Sequence, residues 1–148
     1  MMEDKCIVLA SDHGGFEQKE LIKAWLEQQG CKVVDCGCNS SDSVDYPDFA
    51  KAACEKLLQD GCRCAILVCG TGIGMQIAAN KVHGIRAANV TSPQFAQLSR
   101  QHNNANVLTL SGRFVDFDTN KEIITTFLET EFEGGRHARR VEKIMDVE

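Results

Sequence analysis

The stretch Ala65-Ile66-Leu67-Val68-Cys69-Gly70-Thr71-Gly72-Ile73-Gly74-Met75 confines the chain to a narrow set of folds. An apolar run ends at a cysteine, three glycines follow at alternate positions, and a helical pattern begins. A continuous apolar run is a strand buried on both faces, which is how strands of a parallel sheet read. A strand that passes through glycines into a helix aims backbone N–H groups and a helix N-terminus at one point, a ready anion site. Cys69 sits at the mouth of that turn, where positive potential favours thiolate over thiol.

The rest of the chain repeats the strand-then-helix alternation. Residues 6–10 read as a buried strand, and Leu21, Ile22, Trp25 and Leu26 give a helical face closed by Gly30. Residues 31–36 offer a second strand, and 37–48 are loop by composition. Pro47 opens a helix with the face Phe49, Ala50, Ala53, Cys54, Leu57 and Leu58, ending at Gly61. Residues 64–68 are the third strand, 73–81 the helix after it, and 86–90 a fourth strand. Ser92-Pro93 caps a helix running to about Gln101, and 107–111 are the fifth strand. Thr119 with Glu122 predicts a capping box for a helix carrying Ile123, Ile124, Phe127 and Leu128. Gly134-Gly135 then leads into a basic amphipathic tail. The pattern predicts one α/β domain over residues 1–148, a Rossmann-like three-layer sandwich with a five-stranded parallel sheet and a C-terminal helix. In such sheets the ligand lies at the carboxyl ends of the strands. Ser11-Asp12-His13-Gly14-Gly15, Cys69 to Gly74 and Ser111-Gly112-Arg113 all fall there.

Composition narrows the function classes. With 148 residues the chain can bury a core, and 16 Lys and Arg against 21 Asp and Glu give a net charge of −5. That balance argues against a nucleic-acid partner. No run approaches the roughly 18 apolar residues of a membrane span. The charged start, Met1 to Lys5, has no signal-peptide core behind it, so a cytoplasmic address is expected. Eight cysteines stand at 6, 31, 36, 38, 54, 62, 64 and 69. No pair has the Cys-x-x-Cys spacing of a zinc site, so all but Cys69 read as free packing residues. A zinc site of Cys36, Cys38, Cys62 and Cys64 is the competing idea.

Gly70-x-Gly72-x-Gly74 lacks the dinucleotide fingerprint and is followed by no Gly-Lys-Ser/Thr. What remains is a nest of N–H groups for a small anion or oxyanion, or simply a tight turn. Asp12-His13 suits a substrate hydroxyl or a phosphate. His102-Asn103-Asn104 follows a helix, where a C-terminal cap is the plainer reading. Arg136-His137 with Arg139-Arg140 is a dense positive cluster, a phosphate grip or a solvated helix face.

Six collinear blocks together carry a resemblance: Ser11 to Gly15, Asp45-Tyr46-Pro47-Asp48, Cys69 to Met75 through Ala79-Asn80-Lys81, Gly84 to Ala88, Arg100 to Leu108, and Gly134-Gly135-Arg136-His137. They resemble the ribose-5-phosphate isomerase B family of sugar-phosphate isomerases, which also holds the galactose-6-phosphate isomerase subunits. The resemblance implies an aldose–ketose isomerase working through a cis-enediolate with no metal and no cofactor. It makes Cys69 the base between C1 and C2; some relatives use a glutamate further along the loop, where Met75 lies here. His102, helped by Asp12, would open the furanose ring. The backbone of Gly70, Thr71, Gly72, Ile73 and Gly74 would hold the enediolate oxygens, and Asn103 a substrate hydroxyl. His13, Arg113, Arg136, His137 and Arg140 would hold the phosphate. Thr71 is placed to hydrogen-bond the Cys69 sulfur. Gln18, Asn89 and Cys38 depart from the family pattern and touch none of these roles.

Residue chemistry agrees with these assignments. A dianionic phosphate calls for guanidinium forks, and fixed N–H dipoles stabilise an enediolate without reorganising. A free cysteine titrates near 8.5, within reach of a base at neutrality once a helix end favours the anion. The expected substrate is ribose 5-phosphate. The other readings are a galactose- or allose-6-phosphate isomerase on the same scaffold, and a non-catalytic sugar-phosphate or nucleotide sensor. The resemblance also implies a homodimer or a dimer of dimers, with residues 136–148 packing on a partner subunit and Cys69 working with His102 of the partner.

Overall fold

The computed structural model describes residues 2–148 as five strands and six helices, alternating until two helices close the chain. In chain order these are β1 (Cys6–Ser11), α1 (Phe16–Gln28), β2 (Lys32–Asp35), α2 (Tyr46–Asp60), β3 (Cys64–Cys69), α3 (Ile73–Ala79), β4 (Ala87–Asn89), α4 (Pro93–Asn103), β5 (Val107–Ser111), α5 (Phe117–Glu129) and α6 (Arg136–Asp146). The strands form one parallel sheet in the order β2-β1-β3-β5-β4. Among the described residues, no helix is long and apolar enough to cross a membrane.

Period-two alternation sorts the strand residues into two cores. Ile7, Leu9, Ile66, Val68, Leu108 and Leu110 face α1, α4 and α5, where they meet Ile22, Leu26, Ile123, Ile124 and Phe127. Val8, Ala10, Ala65, Leu67 and Cys69 face α2 and α3, against Ala53, Cys54, Leu57 and Met75. The three-layer sandwich is the one the sequence pattern predicts. Each fully buried large apolar side chain contributes about 1.5–3 kcal/mol relative to exposure.

Some local expectations are corrected. Helix α5 begins at Phe117, because the Asp116 carboxylate accepts the Thr119 N–H at 2.7 Å and ends the extended chain three residues before the Thr119/Glu122 box. Aspartate is as good an N-cap as threonine. Helix α2 starts at Tyr46, with Pro47 in its first turn, so the preceding loop ends at Asp45. Helix α3 stops at Ala79, and Asn80 turns its side chain to Ala87, accepting its N–H at 2.8 Å and donating to its carbonyl at 3.0 Å. Strand β4 is three residues long, an edge strand paired on one side only. Cys6 and Cys62 are joined in a disulfide and are therefore not free, while the other six cysteines are. The zinc quartet does not assemble. Among the described residues, the one group of metal-type ligands brought together is His102, Glu133 and His137.

A buried ion pair fixes the loop that follows β2. Lys19 is 1 % exposed, and its Nζ lies 2.9 Å from both carboxylate oxygens of Asp35. Asp35 also accepts the Gly37 N–H at 2.9 Å, and Gly37 and Cys38 in turn bond the backbone of Ser11 at the end of β1. Burial alone would push the Asp35 carboxyl up. The hydrogen bonds from Lys19 and Gly37, with the Lys19 charge, outweigh it and hold the group below its ordinary value. A depressed carboxylate contributes stability that is complete above its unfolded value of about 3.9 and fades as pH falls through the folded value. Asp35→Asn, which leaves the buried Lys19 with only the half-exposed Glu20 carboxylate at 3.4 Å, is expected to cost about 2 kcal/mol at neutral pH. Urea unfolding of both proteins as a function of pH checks this, since the difference should shrink below about pH 4.

Candidate active site

The carboxyl edge of the sheet is built first by β3. All six of its residues are buried, and it is paired with β1 on one side and β5 on the other. Cys69 is its last residue, opposite Ser111, and is 5 % exposed. Its Sγ accepts the N–H of Gly72 at 3.1 Å. Gly72 has φ +84°, and a β-carbon there would collide with Asn89 Oδ1, so glycine alone lets the chain fold back to the sulfur. The expected Thr71 contact to that sulfur is not made. The Thr71 hydroxyl accepts the Ile73 N–H at 3.1 Å instead, capping the turn into α3.

The loops after β1 and β5 close around the same point. Asp12 is 7 % exposed, and its Oδ1 accepts the Gly15 N–H at 3.1 Å. Gly15 lies against the Val68 carbonyl so closely that no β-carbon fits. The Gly112 N–H donates to the Cys69 carbonyl at 2.8 Å, the Arg113 N–H to that of Gly70 at 3.2 Å, and the Ser111 hydroxyl to Gly70 at 2.7 Å. The exposed Arg113 guanidinium consequently lies over the two glycines: a β-carbon on Gly14 would be 3.3 Å from its Cζ, and one on Gly70 3.4 Å from Nη1. His13 is oriented from the loop before α2, its Nδ1 accepting the Val44 N–H at 3.2 Å. That acceptor role leaves Nε2 to carry the proton in the neutral ring.

Two residues at this edge carried no assigned role in the sequence. The Tyr46 ring lies against Gly74, where a β-carbon would be 2.6 Å from Cε1. Gln18 supports the Arg113 turn, donating to the carbonyls of Gly112 at 3.0 Å and Val115 at 2.6 Å and accepting from the buried Asn120 at 2.8 Å. Gln18 is a departure from the family pattern, and the amide has a partner set that an apolar side chain could not offer.

The remaining candidates gather elsewhere. His102 lies in the last turn of α4, its ring stacked on His137 with centroids 4.4 Å apart and planes at 14°. His137 Nε2 is 3.5 Å from Glu133 Oε1. Burial, then the adjacent His102 and Arg136, holds the His137 imidazolium below its ordinary pKa. Arg136 and Arg140, one turn apart on α6, are exposed, as is Asn103. The buried Arg100 anchors this end by donating to Asn104 Oδ1 at 2.9 Å and to the carbonyls of Ala105 at 2.6 Å and Thr130 at 3.2 Å. The Glu133 N–H donates to Gln101 at 3.1 Å.

The two groups are at opposite edges of the sheet. Helix α4 leads into the start of β5, whereas Cys69 pairs with Ser111 at that strand's far end. Five residues of strand span about 13 Å. Within one chain, Asp12, His13, Cys69, the glycine loop and Arg113 form one constellation. His102, Asn103, Arg136, His137 and Arg140 form another.

Residues 7–144 match the family described as Ribose/Galactose Isomerase. The chain is 44 % identical to ribose-5-phosphate isomerase B of Escherichia coli over 144 residues, 97 % of either protein. A ribose 5-phosphate isomerase from Thermotoga maritima superposes with a TM-score of 0.94 at 48 % identity, covering 96 % of this chain and 98 % of that one. Ribose-5-phosphate isomerase B from Mycoplasma genitalium, solved with bound ribulose-5-phosphate, gives 0.91 at 46 % identity, covering 96 % and 95 %.

Thiol reactivity checks the geometry around Cys69. Burial pushes the Cys54 and Cys64 thiols up to about 12, so both are fully protonated near neutrality. Iodoacetamide is expected to label Cys69 well ahead of those two in the folded protein, read by peptide mass spectrometry. Gly72→Ala, which displaces the N–H from the sulfur and places a side chain in the left-handed region at about 1–2 kcal/mol, should slow that labelling and lower the Tm.

Proposed function

The chain belongs to the Ribose/Galactose Isomerase family, and from that premise we propose that it interconverts ribose 5-phosphate and ribulose 5-phosphate in the cytoplasm through a cis-enediolate. The observation that carries the chemistry is the Cys69 sulfur at the end of β3, held by the Gly72 N–H among the Asp12, glycine and Arg113 loops. A thiolate so placed removes the proton from C2 of the open-chain aldose. The electron pair of that C–H bond enters the C1–C2 bond, and O1 becomes the enediolate oxygen. A proton passes from O2 to O1, and the thiol returns its proton to C1, giving the ketose. The Gly72 N–H is committed to sulfur and that of Ile73 to Thr71, so the oxyanion falls to the N–H groups of Gly70, Thr71 and Gly74.

Ring opening comes first. His102 donates a proton to the ring oxygen while Asp12 takes the anomeric hydroxyl proton, and Asn103 binds a hydroxyl. The phosphate is held by His13 and Arg113 from one edge and by Arg136, His137 and Arg140 from the other. Because these edges lie at opposite ends of one sheet, the reading calls for two chains, each covering the Cys69 edge of its partner with its own His102 edge. A homodimer, alone or paired into a tetramer, supplies this. The exposed α6 arginines and the exposed Ile144 suit a helix that docks on a partner, while Val141 seats the helix on its own chain.

Cys69→Ala is expected to lower turnover of ribose 5-phosphate by about 10²–10⁴-fold while substrate still binds, because proton transfer is lost and the phosphate grip remains. Near-normal turnover would overturn the reading. His102→Asn should slow the reaction from ribose 5-phosphate, which is mostly cyclic, more than the reaction from ribulose 5-phosphate, which is open-chain. Initial rates in both directions at equal saturation measure this. Equal losses would make His102 a structural cap.

A further inference from the structure

The stacked imidazoles of His102 and His137 have chemistry that isomerisation does not use. Neither ring makes a hydrogen bond within the fold among the described residues, apart from the 3.5 Å approach of His137 to Glu133. One ligand-type atom from each of His102, Glu133 and His137 lies within 4.8 Å of the others. Two imidazole nitrogens and a carboxylate oxygen are the donor set of open zinc sites, with bonds of about 2.0–2.2 Å.

Closing the three atoms around one ion requires the two rings to turn out of their near-parallel stack, because each coordinating lone pair lies in its own ring plane. Glu133, half exposed, is free to follow them. The backbone that spaces the ligands is already fixed. Arg100 ties the end of α4 to Ala105 and Thr130, and the Glu133 N–H bonds Gln101, the residue before His102. The His137 N–H bonds Gly134. These bonds fix the backbone spacing of the ligands and leave the two rings free to reorient. Imidazole donors select zinc, copper, nickel and cobalt over magnesium and calcium.

We propose that His102, Glu133 and His137 form a site for a first-row divalent transition-metal ion, whose binding takes His102 out of ring opening and reversibly inhibits the enzyme. The inhibition rests on the role proposed for His102. The binding does not. Coordination occupies the imidazole lone pair that would otherwise carry the transferred proton, so metal and catalysis exclude each other at this residue. Arg136 and Arg140 nearby oppose a cation and favour an anion in the fourth position, so inorganic phosphate should strengthen rather than displace the metal.

Titration of the full-length protein with Co²⁺ tests this, read by visible absorption. One ion per chain is expected, with ligand-field bands free of sulfur-to-cobalt charge transfer and abolished by excess Zn²⁺. Glu133→Gln should weaken the metal by at least about tenfold and leave isomerase activity without metal unchanged. His137→Gln should remove the spectrum. Zn²⁺ should inhibit the wild type in the range that fills the site and require about tenfold more in Glu133→Gln. A cobalt spectrum dominated by sulfur, or one unaltered in both variants, would overturn the site. Binding without inhibition in an active enzyme would overturn the inhibitory role. A protein inactive on ribose 5-phosphate would contradict the proposed function while leaving the cobalt spectrum as the test of the site.

Discussion

Strand β3 is buried along its whole length and hydrogen-bonded to a neighbour on each side, and the position of its last residue is therefore not adjustable. The ladder that pairs Leu67 with Thr109 also pairs Cys69 with Ser111, and the backbone bond from Gly112 to Cys69 carries that registration past the sheet. The loops after β1, β3 and β5 are then hung on this end. Gly15 packs on Val68, Arg113 lies over Gly70, and Gly72 folds back onto the sulfur. A thiol held this way requires no further ordering when substrate arrives, which is the condition for fixed dipoles to act on a developing enediolate.

The same sheet is the reason the proposed site calls for two chains. Parallel strands force every connecting helix to run back toward the amino edge, so a residue late in α4 lies a sheet's length from a residue that ends β3. Neither side-chain rotation nor loop motion on the scale of hydrogen-bonded turns spans that gap. The negative chain nonetheless keeps its arginines at 136, 139 and 140 together at the amino edge, beside His102. On the proposed reading, this charge on an exposed terminal helix serves a phosphate seated on another copy.

Much of this was legible in the sequence where physics is local. The apolar runs at 64–68 and 107–111 are strands, and Ile123, Ile124, Phe127 and Leu128 face the core as their spacing requires. Capping was legible only in part, because Asp116 and Thr119 are both good N-caps and only the tertiary path of the Gly112 to Val115 turn chooses between them. The Cys6–Cys62 disulfide joins residues 56 apart, which become neighbours only once β1 and β3 pair with Ile7 opposite Cys64. The partner of the Cys69 sulfur was misread because a backbone N–H presented by a left-handed glycine leaves no trace in side-chain identity. The Glu133 carboxylate and the His102–His137 stack were invisible because they depend on how α6 returns to the end of α4.

The division of the site between two chains is the central claim, and complementation tests it directly. Cys69→Ala and His102→Asn proteins, each impaired alone, are unfolded together, refolded, and assayed on ribose 5-phosphate, with native mass spectrometry confirming hybrid dimers. Each hybrid holds one site with both residues intact, so a random mixture is expected to regain roughly a quarter of wild-type activity, as two-fold symmetric pairing dictates. A mixture that contains hybrids and shows no more activity than its parents would place Cys69 and His102 in the site of a single chain and contradict the account.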